Sequence, residues 1–138
     1  MNYRIIIFII GWVLKIEAVF MILPVITGII FKESSVIAFV VTGLISFLLG
    51  AALSWKKPKH QHFYIREGFV TVALSWIVMS IIGAFPFIMT GTTSNFIDAL
   101  FETVSGFTTT GASILPEVES VDRCVLFWRS FTHWIGGM

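Results

Sequence analysis

Charged side chains are scarce in this chain of 138 residues, since only 12% are Asp, Glu, Lys or Arg while 57% are hydrophobic. A soluble domain of ordinary composition carries about 25% charged residues and fewer than half apolar ones. Positions 34–55 and 68–97 contain no charged residue at all. Each of these stretches is long enough to cross a hydrocarbon core, which takes about 20 helical residues. The composition therefore excludes an ordinary soluble domain and predicts an integral membrane protein.

Cysteine is also nearly absent, and this excludes two further classes of protein. The single residue Cys124 cannot form an intrachain disulfide or a cysteine-based metal site. The formal net charge of +1 gives no reason to expect nucleic acid as a partner. His60 and His62 lie in a basic loop, where they are interpreted as solvated side chains. No cofactor and no resident metal are predicted.

Three long apolar stretches are present, and each predicts a membrane-spanning helix because the backbone must satisfy its own hydrogen bonds in lipid. They run over Ile5–Phe31, over Val36–Trp55 and from Arg66 to about Thr90. The first is interpreted as a retained helix that Pro24 kinks in its second half.

Two charged residues, Lys15 and Glu17, interrupt the first of these stretches. Two positions apart on a helix, they point in different directions and pair poorly with each other. They have partners elsewhere in the protein, or they lie near a wet interface; the residues leave both readings open.

The orientation follows from the distribution of positive charge. The segment from Lys56 to Arg66 holds four Lys or Arg residues and no acidic residue. The positive-inside rule predicts that this segment is cytoplasmic, together with the N-terminus, and that the turn at Lys32 lies outside. We therefore expect a multi-pass protein of the cell (inner) membrane, in contact with membrane lipid.

A shorter apolar segment, Asn95–Phe107, is typical of a re-entrant helix. Its apolar residues have helical spacing, but about 13 residues span only roughly 20 Å, which is too short to cross a bilayer. Asp98 lies in the first turn, where the helix dipole favours an anion. The negative end of the dipole would then point into the membrane, where it attracts a cation.

The stretch that follows, Thr108 to Ser113, has the residue types that a cation filter requires. Backbone carbonyls can replace the water shell of an ion when they surround it from several sides. Gly111 supplies the freedom in φ that its β-branched neighbours lack, and threonine adds a hydroxyl oxygen. Glu102 either forms hydrogen bonds behind this loop or faces water, and Ser105 lies beside it on the same helix. The chain returns outward through an acidic loop with Glu117, Glu119 and Asp122, which either is simply solvated or concentrates cations.

The last apolar run begins at Val121 or Cys124 and reaches Met138, so it is too short to cross. Arg129 lies within it and requires a buried acid or carbonyl partner. The predicted fold is an all-α membrane protein with two N-terminal transmembrane helices and one helix–pore-loop–helix repeat whose last helix is truncated. The predicted division places the helix pair and basic loop in residues 1–62 and the pore repeat in residues 63–138.

Three segments resemble a known family. Residues 98–113 (DALFETVSGFTTTGAS), 66–76 (REGFVTVALSW) and 127–138 (FWRSFTHWIGGM) are similar to the first pore unit of the Trk/Ktr/HKT potassium transporter superfamily. The closest likeness is to its bacterial TrkH/TrkG branch. The resemblance covers essentially the whole chain, which would be an N-terminal fragment of a member.

The resemblance implies a function and a set of site residues. One full chain would hold four repeats around one pore for potassium uptake, and this segment would supply one of four filter strands. Potassium, as the transported substrate, would bind at Thr109, Thr110 and Gly111. Thr108 and Ala112 would also line the ion path, and the Thr109 hydroxyl would lie at its inner end. The family also implies a homodimer and a cytoplasmic nucleotide-binding regulatory ring as partners.

Two other functions remain open from the residues alone. A small homotetrameric cation channel would supply four filter strands without further sequence. An intramembrane serine protease would use Ser105 as nucleophile and His133 as base. Otherwise the chain is not expected to be an enzyme.

Overall fold

The computed structural model describes residues 2–59 and 62–138, and these form α-helices joined by short turns and loops. The helices are α1 (Tyr3–Phe20), α2 (Ile22–Ile30), α3 (Val36–Leu53), α4 (Ile65–Met89), α5 (Phe96–Phe107) and α6 (Arg123–Gly137). His60, for which a solvated position was predicted, lies outside the described residues. The predicted all-α class is confirmed.

Three candidate membrane spans match the three predicted ones. They cover Tyr3–Ile30 (α1 with α2), Val36–Leu53 (α3) and Ile65–Met89 (α4), and all are long and apolar enough to cross a bilayer. Many of their large apolar side chains are exposed, among them Ile37 (69%) and Phe69 (74%). Such surfaces suit lipid or further protein rather than water.

The first span is divided at Met21, in the second half of the predicted helix, where a kink caused by Pro24 was expected. The break lies three residues before Pro24. Proline has no backbone N–H, so the carbonyl of Phe20 loses the partner that a continuous helix would give it. The proline thus acts on the turn before it.

The antiparallel helices α1 and α3 approach closely where two glycines face each other. A Cβ at Gly11 would lie 2.8 Å from the Gly50 carbonyl oxygen, and one at Gly50 would lie 2.6 Å from that of Gly11. Near this contact, the Ser46 hydroxyl donates a hydrogen bond to the Leu14 carbonyl at 2.8 Å. The middle of α1 and the second half of α3 are thereby held together.

Helix α6 packs against α4 through Trp128, whose side chain is 0% exposed. Its indole Nε1 donates to the Gly83 carbonyl of α4 at 3.1 Å. The short helix α5 packs against both α4 and α6, so the loop that follows α5 emerges beside α6.

The two charges within the first span have different surroundings. The Lys15 ammonium lies 4.6 Å from the centre of the Trp12 ring. Glu17 is 0% exposed, and no described residue forms a hydrogen bond with its carboxyl oxygens. Its Oε1 faces Gly83 of α4. Glu17 is therefore buried between helices, so the alternative of a wet interface is wrong for it, and the described residues do not supply the partner that the other alternative expected.

Candidate functional site at the C-terminal end of the short helix

Helix α5 ends in a turn of the Schellman type, built by the predicted filter residues. The amide of Thr109 donates to the Gly106 carbonyl at 3.0 Å, and the amide of Thr110 donates to the Ser105 carbonyl at 3.0 Å. In this turn the residue after the helix adopts left-handed φ and is usually glycine. Here it is Thr109, with φ of 57°. A β-branched residue in this region is strained, and such strain concentrates at functional sites.

The threonine hydroxyls form a local network at the end of the helix. Thr108 Oγ1 donates to the Val104 carbonyl at 2.7 Å and lies 2.8 Å from Thr110 Oγ1. Thr109 Oγ1 donates to the Thr108 carbonyl at 2.7 Å. All three threonines and Gly111 are exposed. The loop therefore presents a row of oxygen atoms on the surface of this chain, where an ion or further protein can reach them.

Gly111 follows with φ of 79°, as its place in the sequence predicted. A Cβ at this position would have one neighbour within 4 Å, His133 Nε2 at 3.9 Å. Space does not require glycine here, whereas the left-handed φ favours it strongly.

Glu102 supports the loop from behind, one of the two alternatives that the sequence left open. The side chain is 1% exposed. Its Oε1 accepts hydrogen bonds from the Ser113 hydroxyl at 2.7 Å and from the Ile114 amide at 2.6 Å. Its Oε2 pairs with Arg129 Nε at 3.1 Å. One carboxylate thus connects α5, the loop at Ser113 and Ile114, and α6. Arg129 has an acidic partner, one of the two kinds of partner that the sequence predicted.

Ser105 and His133 are each engaged in contacts that do not join them. The Ser105 hydroxyl donates to the Ala112 carbonyl at 2.6 Å. His133 Nδ1 lies 2.8 Å from the Arg129 carbonyl of its own helix. Ser105 therefore positions the loop rather than sharing a proton with an imidazole, and the geometry gives no support to a serine protease.

Helix α6 contacts the base of the loop at a position where only glycine fits. A Cβ at Gly136 would overlap the Phe107 carbonyl oxygen and lie 2.7 Å from the carbonyl carbon. At the neighbouring Gly137 the nearest atom to an added Cβ is Thr109 Cγ2 at 4.0 Å. Gly136 thus sets the distance between α6 and the end of α5.

The start of α6 is held by the turn between α2 and α3, a contact that the sequence did not indicate. The Glu33 carboxylate accepts hydrogen bonds from the amides of Arg123 at 2.8 Å and Cys124 at 3.0 Å. Burial alone would raise the pKa of Glu33, but these amides and the Arg123 charge outweigh it, so the pKa is lowered from its ordinary value of 4.5. Beside it, the Ser35 hydroxyl donates to the Asp122 carboxylate.

Glu117 and Glu119, the remaining acidic residues of the loop between α5 and α6, are exposed. They carry negative charge on the same connection between α5 and α6 as the candidate loop. Asp122 differs from them, since it is bound to Ser35 and belongs to the support of α6.

Comparison with known proteins agrees with this architecture. The TrkH family model, described as cation transport protein, matches residues 35–138. The chain is 37% identical over 131 residues to the Trk system potassium uptake protein TrkG of Escherichia coli, which covers 93% of this chain and 27% of that protein. It is 36% identical over 140 residues to the Trk system potassium uptake protein TrkH of Escherichia coli, covering 100% of this chain and 29% of that protein.

A solved structure gives the same fold. The crystal structure of the potassium transporter TrkH from Vibrio parahaemolyticus superimposes with a TM-score of 0.92 at 32% sequence identity. The match covers 99% of this chain and 30% of that chain. The present chain therefore spans less than a third of the length of these relatives.

Proposed function

Because this chain belongs to the TrkH family of cation transport proteins, we propose that it takes part in potassium uptake across the cell membrane as one quarter of a pore. In this proposal residues 108–112 form one of four selectivity-filter strands. Potassium, the transported substrate, binds at Thr109, Thr110 and Gly111.

The observation that carries the proposal is the left-handed turn at the end of α5. Amides of the turn point back to the carbonyls of Ser105 and Gly106, which leaves the exposed side of the loop to oxygen atoms. Carbonyl and hydroxyl oxygens are the ligands that replace the hydration shell of potassium in a filter. The last turn of α5 also carries the negative end of the helix dipole, which favours a cation there.

The oxygen atoms of the loop differ in whether they already accept a hydrogen bond within the protein. The Ala112 carbonyl already accepts a hydrogen bond from Ser105, and the Thr108 carbonyl accepts one from the Thr109 hydroxyl. We therefore assign the ion chiefly to the carbonyls of Thr109, Thr110 and Gly111, with Thr108 and Ala112 at the ends of the path. Glu102 and Ser105 act as positioning residues behind it.

The assembly around this segment is part of the same proposal. One exposed strand cannot surround an ion, so the complete transporter supplies three more repeats from the remainder of the same chain. We further propose a homodimer, a cytoplasmic nucleotide-binding regulatory ring, an inner-membrane location and a cytoplasmic N-terminus.

The test uses the complete transporter that contains this segment, expressed in a strain that lacks potassium uptake. We expect the unaltered transporter to restore growth at low potassium, and Gly111→Ser to weaken the preference for potassium over sodium in uptake measurements. Gly91→Ser is the matched control, because Gly91 also has left-handed φ (72°) and no neighbour within 4 Å of an added Cβ. If both variants retained full selectivity, or both lost it equally, the filter assignment would be wrong.

A further inference from the structure

A basic cavity lies at the end of the bundle where α1 begins and α3 ends. Its volume is about 790 Å³. Arg4 and Ile7 of α1 form one side, and the last turn of α3 with the segment after it forms the other. The lining residues are Arg4, Ile7, Ala52, Leu53, Trp55, Lys56, Lys57 and Lys59.

Among the described residues, no acidic side chain forms an ion pair with the four cations of this cavity. The ion pair that these residues do form joins Arg129 to Glu102. All four are exposed. Four like charges around one cavity repel one another, so an anion between them would be stabilised. The close contact of Gly11 with Gly50 holds the two sides together, so the arrangement does not depend on a flexible loop alone.

The lining of the cavity also includes exposed apolar side chains. Trp55 is 83% exposed, Ile7 44% and Leu53 38%. Tryptophan at the end of a membrane span is typical of the headgroup level. The cavity therefore combines cations at headgroup depth with an apolar surface that continues along the spans. This combination is complementary to a phospholipid with an acidic headgroup.

We propose that this cavity binds one anionic phospholipid, with the headgroup phosphate among Arg4, Lys56, Lys57 and Lys59 and an acyl chain along Ile7 and Leu53. Basic pockets between transmembrane helices commonly bind acidic headgroups on the cytoplasmic side. The site lies at the opposite end of the first span, Tyr3–Ile30, from the turn at Lys32, and it is independent of the filter.

The test is native mass spectrometry of the complete transporter released from membranes of phosphatidylglycerol and phosphatidylcholine. We expect phosphatidylglycerol to be retained in preference to phosphatidylcholine. Each basic residue near a membrane surface contributes about fivefold to the binding of anionic lipid. The Lys56→Gln/Lys57→Gln variant should therefore retain this lipid roughly 25-fold less strongly.

The matched control is Lys32→Gln/Arg66→Gln, which removes the same charge from exposed residues outside the cavity. We expect it to retain phosphatidylglycerol as the unaltered protein does. Equal loss in both variants would mean unspecific attraction to an anionic surface and would overturn the proposal.

A third arm separates the lipid from a free anion. Inorganic phosphate added in excess should not displace the bound lipid, because it lacks the acyl chain that contacts Ile7 and Leu53. Displacement of the lipid by phosphate would contradict the proposed site. The site would also be contradicted if the unaltered transporter retained no lipid because another part of the protein fills the cavity.

Discussion

Replacing the Glu102 carboxylate perturbs the support of the loop without changing any residue of the loop itself. In Glu102→Gln one oxygen becomes an NH₂ group, which can donate but not accept a hydrogen bond. Either the donors of Ser113 and Ile114 or the Arg129 guanidinium then faces another donor. A buried donor left without a partner costs about 1–3 kcal/mol. That corresponds to roughly a 5- to 150-fold smaller population of the ordered loop.

The assay is potassium and sodium uptake by the complete transporter, together with growth at low potassium. We expect Glu102→Gln to lower potassium uptake and its preference over sodium. Glu117→Gln is the matched control, since it removes the same charge from an exposed residue of the loop between α5 and α6. Arg129→Gln should also impair uptake, because it leaves the buried Glu102 carboxylate without its counter-charge. The reasoning is refuted if Glu102→Gln transports like the unaltered protein, or if Glu117→Gln is impaired as strongly.

Three further predictions concern the packing and support of the loop. Gly136→Ala should lower the melting temperature of the purified transporter, because its methyl group overlaps the Phe107 carbonyl and overpacking costs about 1–3 kcal/mol; Gly137→Ala, which has room, should not. Thr109→Gly should relieve about 1 kcal/mol of backbone strain at left-handed φ and therefore keep or raise thermal stability. Potassium selectivity should fall, because the hydroxyl and the rigidity of the loop are lost. Unchanged selectivity would mean that Thr109 does not line the ion path. Glu33→Gln should destabilise the protein by about 0.5–1 kcal/mol at neutral pH. Because the pKa of Glu33 is lowered on folding, the stabilisation by its carboxylate is present above the ordinary pKa of 4.5 and is lost as pH falls through the folded pKa. The difference in melting temperature between Glu33→Gln and the unaltered protein should therefore vanish in strong acid. A difference that does not depend on pH would contradict this.

The helices could be predicted well because lipid leaves few alternatives. Long apolar runs gave three spans, and the short run Asn95–Phe107 was correctly separated from them, with the observed helix at Phe96–Phe107. The kink expected from Pro24 corresponds to the break at Met21, although the sequence did not show in which turn the helix would be interrupted. An apolar pattern sets the existence of a helix, whereas its direction depends on what it packs against.

The loop shows where sequence reasoning ends. Left-handed φ at Gly111 was predictable from the residue type, but the same conformation at Thr109 was not, because threonine disfavours it. The need of Arg129 for an acid or a carbonyl partner was also predictable. The partners of Glu102 at Ser113 and Ile114, and the contact of Glu33 with α6, depend on tertiary packing and leave no periodic signal. Resemblance to a family, rather than the residues alone, supplied potassium as the ion.

The most direct measurement of the central claim is diffraction from crystals of the complete transporter in rubidium, whose anomalous signal locates the ion. The account predicts an anomalous peak bounded by the carbonyl oxygens of Thr109, Thr110 and Gly111, which weakens in Gly111→Ser. A peak confined to the acidic residues Glu117 and Glu119, with none beside Thr109–Gly111, would contradict the assignment of this loop as a filter strand.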